Sequence, residues 1–109
     1  MKVTISIQTI EKFFELLHKY DATTEQFITE HSSSDKYEIL ALIMMARSNY
    51  EDFEEAHYAA RNKIPELDLN KYFMRRSSDD LQTLQAELQD VIAIEKREGW
   101  EYFELNSIT

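Results

Sequence analysis

Two short spacings carry the residue types from which a metal site is built. Glu15-Leu16-Leu17-His18 and Glu54-Glu55-Ala56-His57 both read Glu-x-x-His within segments of helical periodicity. Residues three apart share a helix face, so a carboxylate and an imidazole can hold one ion. Two such pairs, joined by single Glu residues from two further helices, form the carboxylate-bridged di-iron and di-manganese sites of four-helix bundles. Direction argues against that use here. At about 100° per residue, Glu15 lies about 160° from the centre of its apolar stripe, and Glu54 more than about 90° from its own. Bundle ligands must project inward. The last helix supplies no inward Glu in its middle, since Glu87 and Asp90 fall off the Leu81-Leu84-Leu88 line. No metal and no cofactor is expected.

The remaining candidates are single residues. His18 falls at the edge of the first stripe and His31 at a helix end. His57 lies beside the Phe53-Ala56-Ala60 stripe, as a partly buried imidazole rather than a general base. No catalytic residue is assigned. Arg47 falls on the same side of its helix as Leu40 and Ile43, one turn beyond an apolar run. An arginine there caps the last carbonyls and pairs with a buried carboxylate; its functional alternative is an anion contact. Trp100, Tyr102 and Phe103 stand close together in the acidic-aromatic stretch 100–105 and are candidate interaction anchors. The structural alternative is that they fold back over the helices.

The elements that must position these residues are helices. Ser6 is a good N-cap, and Ile7, Ile10, Phe13, Phe14, Leu17 and Tyr20 follow at helical spacing. Residues 21–24 break that helix, and Thr24 is expected to cap a short one over Glu25 to His31. A third runs from Asp35 to about Arg47. From Ile39 to Ala46 every residue is apolar, so no side of that stretch asks for water, and it reads as the buried central helix. Ser48 and Glu51 fit a capping box for a fourth helix with Phe53, Ala56, Ala60 and Ile64 inward, ended by Pro65. Its alanines predict a close approach to a neighbour. A short helix is expected around Leu67 to Arg75, and a long one from Ser77 and Ser78 to Gly99. Val3, Ile5 and Ile7 alternate like a strand, as do Trp100, Tyr102 and Glu104, which suggests a minor two-stranded ribbon from the termini.

Composition bounds the rest. The 109 residues hold 12 Lys and Arg against 21 Asp and Glu, a net charge of −9, with one Gly, one Pro and no Cys. So few turn residues argue against an all-β fold and against a Gly-rich phosphate cradle. Lack of Cys removes disulfides, thiolate metal sites and thiol nucleophiles. At 43% hydrophobic the chain can fill one core. The N-terminus has no signal-peptide pattern and no apolar run approaches a membrane span, so a cytoplasmic protein is expected. An acidic surface repels both nucleic acid and anionic lipid, and neither is an expected partner.

One resemblance adds to this reading. Ala41-Leu42, Ala46-Arg47-Ser48, Phe53-Glu54-Glu55-Ala56 and Ala60, with Tyr72 in the following short helix, resemble a small bacterial family described as a domain of unknown function. The likeness covers about residues 36–76. It implies helical architecture and a bacterial origin, and no activity.

The sequence therefore predicts a single all-α domain, a compact bundle of five or six short helices around a buried central one. Its expected role is a non-catalytic protein–protein interaction module whose partner is another protein or a second copy of itself. The alternatives are an immunity-like, antitoxin-like or DNA-mimic inhibitor of a basic partner, and a carboxylate-bridged metal protein using the Glu-x-x-His pairs. The balance leans against an enzyme.

Overall fold

The computed structural model describes residues 3–19, 21–47, 50, 52–76 and 81–98, with side chains of the last helix described from 82 to 93. Six α-helices account for most of them: α1 Ile7–Lys19, α2 Ala22–Glu30, α3 Ser33–Arg47, α4 Phe53–Lys63, α5 Leu69–Arg76 and α6 Leu81–Glu98. A 3₁₀ turn, Glu66–Asp68, joins α4 to α5. The fold is an all-α bundle.

Helix α3 is its axis. It packs on α4, α6 and α5, while α1 packs on α2, α5 and α6. Residues 36–43 and Met45 are buried, and Met44 and Ala46 are half-buried. An apolar run without a polar face can be accommodated only where neighbours cover every side. Ala56 and Ala60 of α4 are fully buried, as is Phe53, and their small side chains let α4 lie close against α3.

Local chemistry sets the helix ends. Ser6 caps α1, its hydroxyl accepting the Thr9 N–H at 3.1 Å. Helix α2 starts three residues earlier than Thr24 suggests, because Asp21 is the cap. Its carboxylate accepts from Thr23 and Thr24 N–H while the Thr24 hydroxyl accepts the Asp21 N–H at 3.1 Å. Thr24 is thus the third residue of the capping box, and its hydroxyl also donates to the Leu16 carbonyl at 2.6 Å, tying α2 to α1. Ser32 accepts the Asp35 N–H, which opens α3 ahead of the expected Asp35. For α4 the cap is Asp52, which accepts the Glu55 N–H at 2.8 Å; Ser48 and Glu51 lie outside the described residues. Pro65 ends that helix, as its missing N–H requires.

Among the described residues there is no strand. Val3 and Ile5 are buried in the core, but the backbone around them pairs with a side chain rather than with a second strand. The other half of the expected ribbon, 100–104, lies outside the described residues. No described helix is long and apolar enough to cross a membrane.

Candidate functional site

Buried charge marks the places where chemistry could reside. Five polar or charged residues are buried among the described ones: Thr24, Lys36, Glu38, His57 and Glu87. A charge taken from water without a partner costs several kcal/mol, so each must have a local answer.

Glu87 sits at the junction of three helices. Its carboxylate receives the Arg76 guanidinium from the end of α5, in a hydrogen-bonded pair, and lies 3.3 Å from the Arg47 guanidinium at the end of α3. Glu87 is buried and Arg76 nearly so, while the Arg47 side chain is half-exposed. The position of Glu87 on α6 corrects the sequence reading, which left it off the inward line. It lies about 50° from the Leu84–Val91 direction at the helical period, close enough for the core face to take it. Two neighbouring cations make that burial tolerable.

Glu38 has a different solution. Its carboxylate accepts the Thr4 N–H and the Thr4 hydroxyl, with the Ile5 N–H at 3.4 Å. It thereby serves the backbone donors of a segment that forms no ladder and seats Val3 and Ile5 in the core. Lys36, two residues earlier on α3, donates to the Ile28 carbonyl at 3.1 Å and to the Asn70 side chain at 2.6 Å, linking α2, α3 and α5. Burial pushes its ammonium below the usual lysine range, with Glu66 opposing.

Tyr37 and His57 meet within the α3–α4 contact. The Tyr37 hydroxyl donates to the Ile64 carbonyl at 2.6 Å, just before Pro65. Burial and then Glu66 raise its pKa, against Arg61. The His57 ring lies 6.3 Å from the Tyr37 ring and 5.7 Å from that of Phe53. Burial, and secondarily Arg61, hold His57 below the ordinary histidine value, with Glu38 pulling the other way.

A pH dependence follows. Unfolded, His57 takes up its proton near pH 6.5; folded, it does so only at lower pH. The unfolded chain therefore binds more protons between the two values, so this contribution to stability is complete above about pH 6.5 and is lost as the pH falls toward the folded-state pKa. Urea midpoints measured from pH 8 to pH 5 should fall across that window, and the fall should be shallower in His57→Gln. Equal slopes in both proteins would contradict the assignment.

The Glu-x-x-His pairs take separate places. Glu15 and His18 are exposed on α1, with Glu15 3.6 Å from Lys19. Glu54 is exposed on α4 above the buried His57. No group of three or more His, Asp or Glu able to hold a metal occurs among the described residues. His31 ends α2, 3.5 Å from Asp35 and packed edge-on to Phe13. Trp100, Tyr102 and Phe103 lie outside the described residues.

The outer surface has two features that the sequence reading did not single out. Tyr58 and Leu67 are the exposed large apolar side chains among the described residues, at 71% and 96% exposure. Tyr58 shares the outer face of α4 with Glu54, Arg61 and Asn62 along a hollow of 630 Å³. The other feature is the outer face of α6, where Gln82, Gln85, Ala86 and Gln89 line a hollow of 570 Å³ with Leu88. Helical periodicity places such residues on an exposed side, but only the packing partners decide which faces stay bare. No family model, curated protein or solved structure matches this chain.

Proposed function

We propose that this chain is a non-catalytic interaction module of the bacterial cytoplasm that works by docking to another protein or to itself. Three buried ionisable groups support this reading by what they already do. Glu38 holds the N-terminal segment, Lys36 ties three helices together and Glu87 gathers two arginines. Their charges are spent on the fold.

The observation that carries the proposal is the exposure of Tyr58 and Leu67. Burying a leucine is worth about 1.5–3 kcal/mol, and this fold leaves Leu67 almost fully in water on a turn fixed by Pro65. Tyr58, beside Arg61, has the residue type and cationic neighbour common at the centres of protein interfaces. Trp100, Tyr102 and Phe103 belong to the same proposal as further anchors. The family resemblance over residues 36–76 fits it as well, since Ala41, Leu42, Phe53, Ala56 and Ala60 are buried and express helix packing rather than catalysis.

The test is a double substitution, Tyr58→Ala with Leu67→Ser, in the protein used to capture partners from its source cell. Both positions are exposed, so helicity and melting should stay within error of the parent. Affinity for the captured partner should fall at least about tenfold. Unchanged affinity would remove both side chains from the proposal. Binding by the parent that instead weakens steeply with salt, and ignores the double substitution, would favour the acidic inhibitor of a basic partner.

A further inference from the structure

The outer face of α6 is unlike the rest of the surface. Gln82, Gln85, Ala86, Gln89 and Ala93 are all exposed and none is charged, in a chain where 30% of residues are. They fall at i, i+3, i+4, i+7 and i+11, so they form one stripe along the helix. On its flank Leu88 and Ile92 are half-buried. Gln85 and Leu88 also line a second hollow, of 340 Å³, with Glu11, Phe14, Glu15 and His18 of α1, so the uncharged stripe ends at the helix edge, where the α1 carboxylates begin.

We infer that this stripe is the contact by which two copies of the chain associate, with two α6 helices antiparallel about a twofold axis between Gln85 and Ala86. The inference deepens the interaction reading and rests on it, naming a second copy as the partner. Two bodies of charge −9 repel, and the repulsion is least where the approaching faces carry no charge. The stripe is also its own complement, as a twofold contact requires. About that axis Gln82 of one copy faces Gln89 of the other, and Gln85 faces Ala86. A side-chain amide both donates and accepts, so Gln82 and Gln89 can satisfy each other across the axis, and Ala86 leaves room for Gln85.

Extent sets the strength. From Gln82 to Ala93 the stripe runs about 17 Å at 1.5 Å per residue. A strip that short is below the standard interface of roughly 800 Å² per partner, so the dimer is transient, forming at high protein concentration. Salt gives it a distinctive sign. Screening weakens the repulsion between the two acidic copies and leaves an uncharged contact intact, so association tightens as ionic strength rises.

Sedimentation equilibrium of the full chain, from 10 µM to 1 mM at low and high salt, tests this. The weight-average mass should climb from 13.0 kDa toward twice that value, and climb further at high salt. Gln85→Glu with Ala86→Glu should hold the mass at the monomer value throughout, with circular dichroism and melting unchanged, since both side chains are exposed. A parent protein that stays monomeric at 1 mM, a dimer that loosens with salt, or a double variant that dimerises like the parent would each overturn the inference. The interaction reading fails separately, through the Tyr58 and Leu67 substitutions, which leave this face untouched.

Discussion

Glu87→Ala is expected to destabilise the fold by about 3–5 kcal/mol, the range found when one partner of a buried ion pair is removed. The reason lies in what remains. Arg76 is 12% exposed and would lose the buried carboxylate its guanidinium is paired with, whereas Arg47, half in water already, rehydrates at little cost. A domain of this size has a total stability of about 5–15 kcal/mol, so the loss is a large share of it. The melting temperature should drop by roughly 15 °C or more. The Arg47 variant separates the two arms of the cluster: Arg47→Ala should cost no more than about 1 kcal/mol, as exposed pairs do. Chemical denaturation of both variants decides the matter. Equal losses at Glu87 and Arg47 would mean that the Arg76 arm carries no special weight.

Glu38→Ala should be nearly as damaging, and its effect should begin at one end of the chain. The carboxylate accepts from the Thr4 N–H and hydroxyl, and hydrogen bonds to a charged acceptor contribute about 1.5–3 kcal/mol each. The expected loss is therefore about 3 kcal/mol or more. Without the carboxylate, the Thr4 N–H and hydroxyl would lose this acceptor, and Val3 and Ile5 would lose the anchor that seats them. Amide exchange at Thr4 and Ile5 should accelerate before global unfolding does. Glu38→Gln, which keeps one acceptor oxygen, should lose about half as much. A Glu38→Ala protein within about 0.5 kcal/mol of the parent, still protected at Thr4 and Ile5, would show that other contacts hold the segment.

These two carboxylates bear on how function is read from such a chain. The 21 acidic residues suggest a protein defined by an acidic surface. Two of those residues face inward and organise the fold, one by gathering cations and the other by replacing a missing strand partner. Surface chemistry is then set by what the helices leave outside: Tyr58 on α4, Leu67 on the turn that follows it, and the uncharged α6 stripe.

The sequence by itself determined the helices and the core. Apolar spacing across three and four residues is a local property, and Ile39–Ala46 declared α3 central because no face of it could meet water. Ser6 and Pro65 marked helix ends for equally local reasons. Caps were less legible where candidates competed, as Asp21 did with Thr24, since each can serve the N–H groups two and three residues ahead of it and only the backbone angle selects one. Tertiary structure alone decided the fate of charge. Thr4 and Glu38 lie 34 residues apart, as do Lys36 and Asn70, and no periodicity links positions so distant. Glu87 stands at the margin of its stripe, where a carboxylate turns inward only if cations wait there. Helical spacing is set by the chain's own geometry, but the partner of a buried charge is set by which helix happens to lie opposite.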